Sequence, residues 1–171
     1  MHIVLNAGHT LRGAGSGAVG YINESIEDRK VVAYVARYLR LKGHEVSIIN
    51  IDKASTQNAY LRAVASGENK VEADMFVSIH FNAGGGSGSE CFTYKGKPLP
   101  FAVGICEELS KLGFKNRGVK DGTRLYVVRK TKAPAVLVEV CFVDSKADTA
   151  LYLSKGAAVI GQAITRGIVN Y

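Results

Sequence analysis

Short apolar runs alternate along the chain with longer stretches in which apolar residues recur every three or four positions. The run at residues 73–82, ADMFVSIHFN, carries His80 near its end and is closed by a glycine-rich segment at residues 84–88. Its length, its β-branched content and the glycine stop predict a buried strand rather than a helix. Because chemistry in an open α/β sheet lies at the carboxyl ends of the strands, His80 is the first candidate functional residue.

The remaining pattern predicts five further strands and a comparable number of helices. Strands are predicted at residues 1–7, 44–51, 90–94, 124–128 and 135–143. Helices are predicted from Asn23 or Ser25 to about residue 42, at residues 57–69, from Pro98 or Pro100 to residue 112, and over residues 146–171 with a break near Gly156. The first helix carries an apolar stripe at Val32, Val35, Ala36 and Leu39. Residues 116–122 are predicted to form a polar, basic loop. This alternation predicts an α/β fold in one domain over residues 1–171, with a mostly parallel twisted sheet of about six strands and helices on both faces.

Composition supports a globular chain and excludes several classes. The sequence is 47% hydrophobic and 22% charged, which is typical of a folded domain rather than a disordered one. No apolar run approaches the roughly 20 residues of a membrane span. The first residues lack a basic segment and a long apolar segment, so we expect a protein made without a signal peptide and held in the cytoplasm until released.

The three cysteines, Cys91, Cys106 and Cys141, are widely spaced and odd in number. This spacing argues against a disulfide framework and against a CxxC zinc site. Buried free thiols are the favoured interpretation for all three.

The formal net charge of +7 favours anionic partners such as nucleic acid, an acidic membrane surface or an acidic polymer. Eight Lys or Arg residues crowd the span 111–132. Few aromatic residues interleave with them, which weakens a nucleic-acid interpretation. The span is either a solvated face or a surface that steers the protein to an acidic polymer.

His9 and His80 each close an apolar strand and are followed by loop residues. If both strands are parallel, both imidazoles point into one crevice, which favours a metal. Zn²⁺ held by two imidazoles usually takes a third ligand, often a carboxylate, and leaves a position for water. Glu24 is the nearest carboxylate. The spacing alone does not assign it that role, because the helix dipole favours acids in a first helical turn.

Glu139 interrupts the most apolar segment after the His80 strand, AVLVEVCFV at residues 135–143. A carboxylate in a central strand is costly unless it is paired, hydrogen-bonded or functional. A salt bridge to a basic residue is the alternative explanation. Its place toward the end of a strand favours function.

A glycine pattern offers a competing interpretation. Residues 15–20 match GxGxxG between a strand and a helix, and Asp52 ends the second predicted strand as a ribose-binding acid would. However, the glycines begin well beyond the strand end, and Asp52 follows Gly20 at a longer interval than the dinucleotide fingerprint requires. A flexible loop is the favoured interpretation.

Several segments together resemble one family, the zinc-dependent N-acetylmuramoyl-L-alanine amidases of the type-3 class. The similar segments are Asn-Ala-Gly-His at 6–9, Asn-Glu at 23–24, ADMFVSIHFNA at 73–83, LYVVR at 125–129 and PAVLVEV at 134–140. Their order covers nearly the whole chain. Departures from the family pattern are Asn6-Ala7 and Thr10 beside the first histidine, and Cys141 where glycine is more frequent.

The resemblance implies His9, Glu24 and His80 as ligands of a Zn²⁺ cofactor and Glu139 as the catalytic carboxylate. Strand alternation would place Cys141 on the same face as Glu139 and so near the metal. The implied reaction is hydrolysis of the amide between N-acetylmuramic acid and L-alanine of the peptidoglycan stem peptide.

Peptidoglycan is the expected partner, with anionic wall polymers as additional partners, no nucleic acid and no membrane span. We expect the catalytic domain of a phage or prophage endolysin that acts on the bacterial cell wall. The alternatives are a non-catalytic wall-binding module of the same fold, a dinucleotide-binding oxidoreductase and, more distantly, a cysteine hydrolase built on Cys141.

Overall fold

Six strands form one mostly parallel sheet in the computed structural model, which describes residues 1–170. The strands are β1 (His2–Ala7), β2 (Glu45–Ile48), β3 (Met75–Asn82), β4 (Ser89–Thr93), β5 (Asn116–Asp121) and β6 (Ala135–Phe142). Their order is β2-β1-β3-β6-β4-β5, and only the β4–β6 pair is antiparallel among these residues. The predicted α/β class is confirmed.

Five α-helices cover the two faces of the sheet within residues 1–170. They are α1 (Glu24–Leu41), α2 (Gln57–Glu68), α3 (Pro100–Lys111), α4 (Tyr126–Lys130) and α5 (Lys146–Val169), with a short 3₁₀ turn at Tyr94–Gly96. The predicted break in the last helix is confirmed, because Gly156 has a φ of 77° inside α5. Tyr171, at the end of the predicted helix, lies outside the described residues.

Alternation along the strands divides the core between the two faces. Odd-numbered residues of β1 and β3, such as Leu5 and Val77, pack with α1, α3 and α5. Even-numbered residues, such as Val4 and Phe76, pack with α2 and α4. The apolar stripe of α1 is buried as predicted. Asn23 caps that helix by accepting a hydrogen bond from the Ile26 N–H group.

Two predicted elements are wrong, and both lie where packing overrides the local pattern. Residues 116–121 form β5 instead of a loop. This strand lies at the edge of the sheet and pairs with β4 alone. Its polar residues stay partly exposed, so the sequence shows no alternation of apolar residues that would predict a strand. Residues 126–130 form the helix α4 instead of a strand. Val127 and Val128 favour a strand by propensity, but they are buried in the cluster that α2 covers.

The placement of Cys141 on the face of Glu139 is also wrong. His80 pairs with Glu139, but Asn82 pairs with Phe142, so β6 carries one extra residue at this point. Such a bulge interrupts the alternation of side chains. Cys141 is therefore buried in the cluster that includes Tyr152 of α5. All three cysteines are buried free thiols, as predicted.

Across residues 1–170, no helix has both the length and the apolar character needed to cross a membrane.

Candidate active site and metal centre

Three of the sequence-predicted residues meet at the carboxyl ends of neighbouring parallel strands. His9 follows β1, His80 lies near the end of β3, and Glu139 lies in β6 directly beside His80 in register. The rings of His9 and His80 are 4.9 Å apart between centroids and are nearly perpendicular. The expected common crevice of the two imidazoles is therefore present.

Glu24, the first residue of α1, joins the two imidazoles. Its Oε1 atom lies 3.0 Å from His9 Nε2 and 3.2 Å from His80 Nδ1. Two backbone N–H groups fix the carboxylate, that of Phe81 on Oε1 at 3.1 Å and that of Ala18 on Oε2 at 2.8 Å. One ligand atom from each of the three residues lies within 4.8 Å of the others, which makes His9, Glu24 and His80 a candidate metal-binding triad.

The hydrogen bonds behind the imidazoles fix which ring nitrogen is free. His9 Nδ1 is 3.0 Å from the Gly15 carbonyl oxygen, which only accepts, so Nδ1 carries the proton and Nε2 presents its lone pair. His80 Nε2 is 3.0 Å from the Ser78 hydroxyl. That hydroxyl donates its hydrogen to Asn6 Oδ1 at 2.9 Å. It therefore accepts from His80 Nε2, and His80 Nδ1 is left free.

Both free lone pairs point at the same oxygen of Glu24. Two lone pairs facing a carboxylate oxygen at about 3 Å repel unless a cation or a proton lies among them. Two neutral imidazoles oriented by such hydrogen bonds, together with one carboxylate, are a donor set that Zn²⁺ prefers. The residues present therefore fit a zinc ion.

In the metal-free chain, the close contacts among Glu24, His9 and His80 shift their pKa values. Burial alone would raise the pKa of Glu24, but the neighbouring imidazoles of His80 and His9 hold it well below its usual value. Burial lowers the pKa of His80. The pKa of His9 is also lowered by burial, yet the hydrogen bond and charge of Glu24 outweigh this and raise it. Without a metal, Glu24 thus favours the protonated form of His9.

The backbone around the triad is held in an unusual conformation. His9 has a φ of +63°, in the left-handed region that non-glycine residues rarely adopt. Arg29 of α1 donates to the carbonyl oxygens of both Gly8 and His9. Gly8 allows the closest approach, since a Cβ atom there would lie 2.4 Å from His80 Cε1. Strain of this kind persists where the surroundings over-determine it.

Glu139 stands beside the triad but outside it. Within residues 1–170 its buried Oε2 atom has no hydrogen-bond partner. The nearest acid across the antiparallel pair, Glu90, is already engaged by Asn82 and by Arg117. Burial, followed by the charges of Glu24 and Glu90, raises the pKa of Glu139 to about 8. The salt bridge offered as an alternative explanation for Glu139 is therefore not formed in the described part of the chain.

Asp28 is a second unpartnered acid, which the sequence analysis missed. It lies one turn after Glu24 on α1, is fully buried, and has no hydrogen-bond partner for either oxygen among residues 1–170. Burial raises its pKa well above the usual value, and the charges of Glu24 and Glu139 add to this. The sequence signal was the four-residue spacing from Glu24, which puts both carboxyl groups on one face of the helix.

The site opens into a cleft of about 370 Å³. His9, His80 and Glu139 line one part of it. The rest of the lining comes from α2, from the segment that begins α4 and from β6, namely Gln57, Tyr60, Leu61, Arg124, Leu125, Tyr126, Val127 and Leu137. None of these was singled out individually as a site residue, because the chemistry-bearing pattern of the sequence lies in the strand ends and not in the opposite wall.

The GxGxxG segment and Asp52 serve other purposes in the structure. A Cβ atom at Gly17 would lie 2.6 Å from Glu24 Oε2, and one at Gly20 would lie 2.3 Å from the Val143 carbonyl oxygen. Gly17 thus allows close packing beside the triad, and Gly20 allows close packing against the backbone that follows β6. Asp52 accepts hydrogen bonds from Arg29 at 2.9 and 3.2 Å. Nothing in these contacts favours a dinucleotide site.

Comparison with known proteins gives one consistent result. The family model of the N-acetylmuramoyl-L-alanine amidases matches residues 3–170. N-acetylmuramoyl-L-alanine amidase CwlM of Bacillus licheniformis is 32% identical over 98% of this chain and 66% of its own length. The endolysin of Bacillus phage SPP1 is 34% identical over 86% of this chain and 56% of its own length.

A solved structure, the catalytic domain of the CD27L endolysin targeting Clostridia Difficile, superposes with a TM-score of 0.92 and 32% identity, covering 99% of this chain and 97% of that one. The chain spans about half the length, 51%, of two curated relatives from Clostridium perfringens that are 36% and 37% identical to it.

Proposed function

Because the chain belongs to the N-acetylmuramoyl-L-alanine amidase family, we propose that it hydrolyses the amide between N-acetylmuramic acid and the L-alanine of the peptidoglycan stem peptide. The observation that carries this proposal is the convergence of His9 Nε2, Glu24 Oε1 and His80 Nδ1 beside the Glu139 carboxyl group, whose buried Oε2 has no partner in the described residues. His9, His80 and Glu139 line the cleft.

In this proposal the three converging atoms hold a zinc ion. When bound, Zn²⁺ polarises the scissile carbonyl and lowers the pKa of a water molecule. The Gly15 carbonyl and the Ser78 hydroxyl keep the two imidazoles neutral and correctly turned. The two backbone N–H groups on Glu24 hold its carboxylate in place for the same purpose.

Glu139 acts as the general base and then as the general acid. Its carboxylate accepts a proton from the attacking water and returns that proton to the leaving amine of L-alanine. In the metal-free chain, burial and the charges of Glu24 and Glu90 raise the pKa of Glu139 to about 8. A bound cation nearby would lower this pKa and favour the carboxylate form that accepts the proton. Its place beside His80 in register keeps it next to the reacting carbonyl.

We further propose that the chain is the catalytic part of a phage or prophage endolysin, acting on the bacterial cell wall. The likeness to the SPP1 endolysin and to the CD27L catalytic domain supports this role.

Mass spectrometry of digested, purified cell wall tests the reaction. We expect stem peptides that carry a new free amino group on L-alanine, together with glycan strands whose N-acetylmuramic acid units carry free lactyl carboxylates. Chelation should abolish the products, and added zinc should restore them. Products with new reducing sugar ends, or peptides cut elsewhere, would contradict the proposal.

A further inference from the structure

Arg124 gives the cleft a cationic group that the reaction described above does not use. Among the described residues that line the cleft it is the one arginine or lysine. Its side chain is exposed, and it has neither a hydrogen bond nor an ion pair to another residue of the range 1–170. The acid that feels its charge, Asp121, is already engaged by the N–H and hydroxyl groups of Thr123. The guanidinium group is therefore available to a ligand.

The backbone that carries Arg124 is anchored although its side chain is free. The Gly122 N–H group donates to the Thr93 carbonyl of β4 at 2.8 Å, and the Leu125 N–H group donates to the Gly122 carbonyl at 2.8 Å. A Cβ atom at Gly122 would lie 3.0 Å from Phe92 Cβ, so this turn lies directly on the sheet. Arg124 is thus presented to the cleft from a fixed position.

The cleft is polarised by this placement. His9, His80 and Glu139 line one part of the cleft, with Glu24 buried behind the two imidazoles, while Arg124 lines the part formed by the start of α4. Apolar side chains, Leu61 and Leu137 among them, line the space with both groups. A ligand that fits this arrangement is neutral where it meets His9, His80 and Glu139 and carries a negative charge a short distance away.

The stem peptide of peptidoglycan has this distribution of charge. The scissile amide and the acetylated sugar ring are neutral, so the nearest anion lies on the peptide side. The second stem residue is a D-glutamate linked onward through its side chain, and its α-carboxyl group is either free or amidated. Two extended residues span about 7 Å, so the first anion of the stem lies a short distance from the scissile amide.

We infer that Arg124 recognises the free α-carboxylate of the second stem residue, so that the enzyme favours stems with D-glutamate there over stems with D-isoglutamine. This inference rests on the proposed amidase function. Arginine suits the role because its planar fork binds a carboxylate through two parallel hydrogen bonds.

The test uses two soluble muropeptides, N-acetylmuramoyl-L-alanyl-γ-D-glutamyl-L-lysine and its D-isoglutamine counterpart, with the zinc-loaded chain. In both substrates the side-chain carboxyl group of the second residue is linked onward, so only its α-carboxyl group differs. We expect kcat/KM to be roughly tenfold higher for the carboxylate substrate, the size of an exposed charge-assisted contact. Arg124→Gln should remove that preference, mainly through KM, and leave the amidated substrate within about twofold. Arg124→Lys keeps the positive charge but not the planar guanidinium group, so it should retain part of the preference for the carboxylate substrate. Arg129→Gln is the matched control, because Arg129 lies in α4 without lining the cleft.

Each outcome separates this inference from the proposed function. If neither muropeptide is cleaved at the lactyl amide, the amidase proposal fails and this inference fails with it. If both are cleaved equally well by the wild-type chain, or if Arg124→Gln slows both alike, the amidase proposal stands and the role of Arg124 is refuted. A loss of preference in Arg129→Gln as large as in Arg124→Gln would also refute it, since general surface charge would then explain the effect.

Discussion

Replacing Glu139 by glutamine separates the proton-transfer role of this residue from every structural role. Glutamine keeps the size of the side chain and a polar group but cannot accept the proton. With zinc bound, turnover on cell wall should fall by roughly 10²–10⁴-fold, the usual effect of losing a general acid–base group. Metal content should stay at the wild-type level, because Glu139 lies outside the His9, Glu24 and His80 triad.

The same substitution should stabilise the metal-free chain, and the sign follows from the pKa. The pKa of Glu139 is raised from 4.5 to about 8, first by burial and then by Glu24 and Glu90. The folded chain therefore holds this proton more tightly than the unfolded chain does. The resulting stability is present below the unfolded pKa and is lost as pH rises toward about 8. Between about pH 5.5 and about pH 7, the free energy of unfolding of the wild-type chain should fall by about 2 kcal/mol because of Glu139. The glutamine variant has no such titrating group and should not show this fall.

Denaturant unfolding in the presence of a chelator measures this difference. The free energy of unfolding of Glu139→Gln minus that of the wild-type chain should grow by about 2 kcal/mol across that pH range. Glu72→Gln is a suitable control, because Glu72 is exposed and does not line the cleft. Turnover near the wild-type rate with zinc bound would show that Glu139 is structural. A difference that stays constant with pH would refute the burial argument. Loss of zinc together with turnover would place Glu139 among the ligands and make Glu24 the residue to test as the base.

Three further predictions address the metal and the surface charge. His80→Ala should lose bound metal and activity together, because the triad loses one of its three ligand atoms; full zinc occupancy after gel filtration would remove His80 from the metal site. Gly8→Ala should weaken zinc retention in a competition assay with a chelator, since the added Cβ atom would lie 2.4 Å from His80 Cε1; unchanged retention would mean that the ring need not shift. If the basic span 111–132 steers the chain to anionic wall polymers, activity on whole walls should fall more steeply with salt than activity on a small muropeptide, because screening shortens electrostatic reach to about 8 Å at physiological ionic strength. Equal salt sensitivity on both substrates would mean that the span is a solvated face.

The strand ends that carry chemistry were predictable because they combine two strong signals. β3 and β6 are apolar enough to be recognised as buried strands, and a histidine or a glutamate within them stands out against that background. The opposite wall of the cleft gave no such signal. Arg124 was one of eight basic residues in a polar span, and nothing in its neighbours distinguishes it from those that face solvent.

The roles of Glu24 and Cys141 could not be predicted from the local sequence pattern, because both depend on tertiary contacts. The role of Glu24 depends on contacts with residues from three other segments. In the sequence, the helix dipole already explains an acid in a first helical turn, so the pattern alone does not reveal this role. The placement of Cys141 depends on one extra residue in β6, which a period of two cannot reveal. In both cases the deciding contacts lie between residues far apart in the sequence.

The distances along the chain between the triad residues have a consequence for folding. β1 pairs directly with β3, and β3 with β6, although some 70 and some 60 residues separate each pair of partners. Parallel pairings of such long range form late and slowly, because the loop closure must be completed before the contacts stabilise it. His9 and His80 come together only when β1 has joined β3, so neither an isolated helix nor a partly paired sheet can present all three ligand atoms. A metal ion held by them would bind the native chain and not its unfolded or half-paired forms, and its retention would report that the central strands have closed.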